Sequence, residues 1–158
     1  MIGGLRTRGV IKTGSKKNPL ISIITVVFNG EKYLEQAILS VAQQTYKNIE
    51  YIIIDGGSKD KSTEIIKNHE DVIDFWISEK DRGIYNAMNK GIKLSRGDFI
   101  GFVNSDDYLY KDTILKLANA IKNDSIDYSV GPVDIISQNK KFKETALVLP
   151  DFLNKERF

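Results

Sequence analysis

Residues Ile21 to Phe28 read Ile-Ser-Ile-Ile-Thr-Val-Val-Phe, a β-branched and almost continuously apolar run that Asn29-Gly30 ends. Such a run fits a strand buried on both faces, and strands of that kind belong to parallel sheets covered by helices on each side. The following segments keep to that plan. Asn29 is placed to cap a helix that carries Tyr33, Leu34, Ala37, Ile38 and Val41 on one face. A short strand over Tyr51 to Ile54 ends in Asp55-Gly56-Gly57-Ser58, and Asp60 offers a cap for a helix through Ile65 and Ile66. Phe75 to Ile77 reads as a third strand, Ile84, Met88 and Ile92 as a helix, and Phe99 to Val103 as a fourth strand. Ile114, Leu117, Ala118 and Ile121 mark the next helix. After a strand-like Tyr128 to Val130, Val133 to Ile136 and Lys140 to Thr145 predict an antiparallel hairpin across Ser137-Gln138-Asn139. The predicted fold class is therefore α/β: a Rossmann-like, mostly parallel sheet flanked by helices on both faces, joined by right-handed crossovers.

Composition narrows the functions open to this plan. The 158 residues, 41% hydrophobic and 28% charged, suit one core. The absence of cysteine excludes disulfides, thiolate zinc sites and cysteine nucleophiles. His69 is the only histidine, which excludes a serine triad with a histidine base and a multi-histidine metal site. Arg6, Arg8, Lys12, Lys16 and Lys17 fall in residues 1–18 with no acid among them, leaving residues 19–158 mildly acidic. A basic leader is not the basic face that duplex binding needs, so nucleic acid is not an expected partner. The leader is either solvated or in peripheral contact with an anionic membrane surface. Neither a signal peptide nor a membrane span is visible, so the expected location is cytoplasmic, with the inner face of the membrane as the alternative. Gly-x-Gly-x-x-Gly after the first strand, the P-loop and the Gly-x-Ser-x-Gly elbow are all missing.

Ligands of open α/β sheets collect beyond the carboxyl ends of the strands. Here those ends are Thr25 to Asn29, Asp55 to Ser58, Glu79-Lys80-Asp81-Arg82 and Asn104-Ser105-Asp106-Asp107. Two adjacent carboxylates repel unless a cation or a proton intervenes, and hard oxygen ligands suit Mg²⁺ or Mn²⁺ completed by water and phosphate oxygens. Asp106 and Asp107 thus suggest a metal–diphosphate site, against the simpler reading of two solvated turn residues. Asp55 can accept from a base or a ribose, and Gly56 and Gly57 permit close approach of a ligand or simply a tight turn. Arg82 can neutralise diphosphate charge or make a surface pair. Trp76 and Tyr85 read as packing residues, and Lys90 as a residue of either the site or a solvated helix face.

Taken in order, Pro19 to Gly30, Asp55 to Thr63, Glu79 to Gly91 and Gly97 to Asp107 resemble family 2 glycosyltransferases of the GT-A fold. The resemblance covers roughly residues 19–131 and implies that residues 19–158 form a GT-A nucleotide-sugar-binding domain, truncated at its acceptor side. It implies a UDP- or GDP-linked sugar donor, with Thr25, Phe28 and Asp55 near the base and Asn29 and Gly56 beside them. Asp81 and Arg82 would match the donor-side loop. Asp106 and Asp107 would match the family's Asp-x-Asp region, with Asp107 the direct ligand of Mn²⁺ or Mg²⁺. Asn104 departs from the Asp that many members carry. An inverting transfer to a glycan or lipid-linked acceptor would need a carboxylate base. None of Asp112, Asp124, Asp127, Asp134, Glu144, Asp151 and Glu156 sits in a context that matches it. The resemblance therefore implies either a transferase of surface polysaccharide or related glycan, or a nucleotide-sugar-binding fragment without catalysis. A metal-dependent phosphohydrolase using Asp106 and Asp107 is a further alternative. Apolar surface left uncovered by a missing segment would favour self-association.

Overall fold

The computed structural model describes residues 1–123, 133–137 and 140–146, in two compact units, Met1–Ala118 and Asn119–Phe158. The first unit opens with a two-residue strand β1 (Ile2–Gly3) and a 3-10 turn (Leu5–Arg8). It continues through β2 (Ile21–Val27), α1 (Leu34–Ala42), β3 (Ile49–Asp55), α2 (Ser62–Asn68), β4 (Phe75–Ser78), α3 (Ile84–Leu94) and β5 (Phe99–Phe102). Helix α4 (Thr113–Asn123) begins in this unit. The second unit contains the hairpin of β6 (Val133–Ser137) and β7 (Lys140–Ala146), antiparallel as expected, with a register irregularity between Asp134 and Ile136. The expected strand at Tyr128 to Val130 lies outside the described residues.

All seven residues of β2 and all seven of β3 are buried, so the pleat gives each strand two different inner faces. Ile21, Ile23, Tyr51 and Ile53 face one way and pack with Leu34, Ile38, Ile66, Ile114 and Ala118, from α1, α2 and α4. Ile24, Val26, Ile52 and Ile54 face the other way, onto Ala87 of α3 with Met88 and Leu94 beside it. The sheet order β1-β4-β3-β2-β5 explains the division. The steps from β2 to β3 and from β3 to β4 run in one direction, whereas the step from β4 to β5 runs back across the sheet. Right-handed crossovers therefore place α3 on the opposite face. A Cβ at Gly91 would lie 2.5 Å from Ile24 Cγ2, so α3 rests on β2 through a residue that has none.

Four strands are parallel, as the apolar runs predict, and β1 is antiparallel at the edge. This edge strand corrects the expectation for residues 1–18. The first part of that segment is not a solvated leader, since Ile2 pairs with Ile77 and Gly3 with Trp76, whereas Lys16 and Lys17 are exposed. Two of the five cations answer buried carboxylates. Arg6 lies 3.3 Å from Glu50 and donates to the Leu94 carbonyl, and Lys12 donates to Asp74 and to the Ile49 carbonyl. Glu50 also accepts from the Ser22 hydroxyl and the Arg96 amide, and Asp74 from the Tyr51 amide. The polar Glu50 also hid the true start of β3, two residues before the apolar Tyr51. Asn29 is not a helix cap. It stands in the left-handed region at φ 52, and α1 begins only at Leu34.

Deleting residues 1–12 removes Arg6 and Lys12 together and leaves Glu50 and Asp74 buried without their cations. A loss of about 3 kcal/mol or more is expected. Urea unfolding of the shortened chain checks it: an unchanged midpoint would mean that these residues are a solvated tail.

Candidate functional site

The switch in connection direction puts β2 between β3 and β5, and the crevice that such a reversal creates lies at the carboxyl ends of those strands. A cleft of about 670 Å³ occupies that place. It is lined by Val26, Val27 and Phe28 after β2, Gly56 after β3, Lys80 and Asp81 after β4, and Asn104, Ser105 and Asp106 after β5. Gly83, Ile84 and Ala87, at the start of α3, complete the wall. The four expected strand ends thus meet, although not every residue chosen from them reaches the cleft.

Phe28, Gly56, Asp81 and Asp106 line it. Phe28 is 65% exposed, a large aromatic ring at a strand end. Gly56 is a position of close approach, where a Cβ would stand 2.8 Å from Asp81 Oδ2. Asp81 accepts from the Gly83 amide at 2.8 Å, which fixes the turn that starts α3. That helix has no acid in its first turn, and the carboxylate at its amino end is Asp81, bonded to the capping residue Gly83.

Thr25 and Asp55 are elsewhere. Both are fully buried on the α1 and α2 side of the sheet, where Thr25 Oγ1 meets the Tyr51 hydroxyl at 3.0 Å. The Asp55 carboxylate is occupied by protein donors: the Ser78 hydroxyl at 2.6 Å, the Ser58 hydroxyl and the Ser58 amide. It holds the turn over residues 56–58. Asn29 extends that anchorage, donating its amide to Ser58 Oγ and accepting the Lys59 amide on its side-chain oxygen. Close by, Asp60 accepts from the Glu31 and Ser62 amides. Desolvation pushes its carboxyl up, and the hydrogen bonds outweigh that and hold it below the ordinary value.

Arg82 is exposed, with its amide directed to Asn86 Oδ1, and its side chain is not part of the cleft wall. Asp107 adjoins the wall without lining it and accepts from Asn104 Nδ2 at 2.9 Å. The neutral amide at position 104 is therefore a donor to Asp107, where a carboxylate would repel it. Lys90 is drawn to Glu79, and this bond holds the Glu79 carboxyl below its usual range. Trp76 is buried, with Nε1 donating to Glu70, whereas Tyr85, read as a packing residue, is 79% exposed. His69 ends α2 and bonds the Ile65 carbonyl. Lys80 and Ser105 were not singled out from the sequence. Their signal was position, since each sits between strand-end residues that were.

An open α/β sheet with a cleft at its switch point, beside an exposed aromatic ring, is a frame on which nucleotides bind. The family model for glycosyl transferase family 2 matches residues 22–157, and the chain belongs to that family. An uncharacterized glycosyltransferase of Haemophilus influenzae is 45% identical over 104 residues, covering 64% of this chain and 42% of that protein. The crystal structure of Staphylococcus aureus TarS 1–349 in complex with UDP-GlcNAc superposes with a TM-score of 0.61 at 27% identity, covering 66% of this chain and 31% of that one. The mannosyltransferase PcManGT of Pyrobaculum calidifontis, in complex with GDP-Man and Mn²⁺, shares the fold at a TM-score of 0.61 and 21% identity, over 80% of this chain and 38% of that one. The chain spans less than half the length of each. The expected GT-A architecture is borne out. Among the described residues, no helix is long and apolar enough to cross a membrane.

Asp55→Ala leaves the buried Ser78 hydroxyl without its acceptor and frees the 56–58 turn, so a loss of about 2–3 kcal/mol is expected. Asp106→Ala, at an exposed cleft residue, leaves the unfolding midpoint nearly unchanged. Equal effects of the two in thermal unfolding would contradict this division between anchor and ligand residue.

Proposed function

We propose that this chain binds the nucleotide-diphosphate part of an activated sugar in the switch-point cleft and supplies the donor side of glycosyl transfer to an acceptor hydroxyl. The observation that carries the reading is the convergence of exposed Phe28, Lys80, Asp106 and the start of α3 on one cleft of a family 2 domain. Phe28 offers a ring for the base to stack on. Lys80 favours the diphosphate, at the amino end of α3 that Asp81 caps. The solved relatives, which carry UDP-GlcNAc and GDP-Man, support a UDP- or GDP-linked donor. The acceptor on this reading is a glycan or a lipid-linked sugar.

The donor chemistry fits a divalent cation. Asp106 and Asp107 are adjacent, exposed oxygen ligands, and the described residues contain no group of three or more carboxylates or histidines. Two carboxylates leave most of an octahedral shell to diphosphate and water, the arrangement that Mg²⁺ and Mn²⁺ favour. Asp107 is the residue proposed to bind the cation directly, with Asn104 orienting it and Asp106 facing the donor. The cation supplies positive charge against the leaving diphosphate. Arg82, beside the cleft wall in sequence, adds its charge to the same end when the donor is bound.

Calorimetric titration of UDP and GDP into the chain, with and without Mn²⁺, tests the reading. Expected is binding of one nucleotide that needs the cation and weakens by roughly tenfold or more in Asp107→Ala. Folded protein that binds neither nucleotide under either condition would overturn it.

A further inference from the structure

A second concavity, of about 430 Å³, lies away from the donor cleft, between the outer face of α1 and the segment that follows Asp107. Its α1 wall is Gln36, Leu39 and Gln43, and its other wall carries Tyr108 and Lys111. The side chains of Gln36, Gln43 and Lys111 are exposed and have no hydrogen bond or ion pair with the described residues. Each therefore presents its full donor or acceptor capacity to a ligand. Tyr108 is 38% exposed and is held edge-on by Tyr110, ring centroids 5.8 Å apart.

The walls are tied together rather than merely adjacent. Ser40 Oγ accepts the Leu109 amide at 3.1 Å, and the Thr45 amide donates to the Lys111 carbonyl at 3.1 Å. Gln44, 1% exposed, donates to the Tyr110 carbonyl and accepts the Ile114 amide. One buried amide thus fixes the far wall on α1 before any ligand arrives, and preorganisation of this kind lowers the cost of binding.

From this lining we infer that the groove is a binding site for a neutral oligosaccharide. The Tyr108 ring suits the apolar face of a pyranose, and Leu39 gives a short apolar floor. Gln36 and Gln43, about two helical turns apart, can each bridge vicinal hydroxyls of a different sugar unit. Lys111 and Glu35 bring opposite charges to the lining, which favours neither a polyanion nor a polycation. The inference does not rest on donor binding. It also links two sites through one loop, because Tyr108 follows the Asp106-Asp107 pair directly in the chain.

The test follows backbone amide chemical shifts of the full chain as maltotriose, cellotriose and chitotriose are added separately to millimolar concentration. At least one is expected to shift Leu39, Gln43, Tyr108 and Lys111 together. Its affinity should fall roughly tenfold in Tyr108→Ala and measurably in Gln43→Ala, both at exposed sites. Native-like spectra of the two variants separate loss of binding from loss of fold. Absence of shifts with all three sugars, shifts elsewhere only, or unchanged affinity in both variants would overturn the inference. UDP titrated in parallel with Mn²⁺ keeps the readings apart: groove shifts in a chain that binds no nucleotide would retain the groove and sink the donor cleft.

Discussion

The pleat of two fully buried strands governs the molecule. Because β2 and β3 expose neither face, every side chain along them must enter one of two apolar layers, and polar groups survive there only when a neighbour answers them. Ser22 with Glu50 and Thr25 with Tyr51 are such pairs, and Asp55 with its serines is another. Uncommitted polarity is pushed to the carboxyl ends of the strands, where backbone leaves the sheet and loops from four strands face one opening. The cleft is a consequence of that displacement.

The two ends of the sheet use charge differently. At the amino end, Glu50 and Asp74 are enclosed and matched by Arg6 and Lys12 from a segment that crosses the sheet edge. Such pairs fix the path of the chain, since each carboxylate must be met by a cation once it is buried. At the carboxyl end Asp106 and Asp107 are exposed and, among the described residues, have no ion pair. An arrangement of that sort contributes little to the fold and keeps its electrostatic capacity for a bound group.

Much of this was legible in the sequence, for identifiable reasons. Long apolar runs and helical spacing revealed the parallel strands and their helices, because burial on both faces leaves a strand no polar positions. Strand ends revealed the cleft, since topology alone brings them together. Side-chain direction was less legible. Thr25 and Asp55 sit at the expected strand ends with side chains buried on the α1 and α2 face of the pleat, and one residue of register decides that. Asn29 looked like a helix cap because its position relative to the apolar spacing suited one, whereas its amide and side chain were engaged by Ser58 and Lys59 thirty positions on. The edge strand β1 was invisible because two residues carry no periodicity, and its partners Trp76 and Ile77 lie far along the chain.

The antiparallel run of β1 has a practical side. Met1 pairs across from Ser78, its amine donating to that carbonyl, so the chain begins at the strand end from which Lys80 and Asp81 rise. A purification tag or fusion partner joined ahead of Met1 would emerge beside the switch-point cleft and compete for its approach.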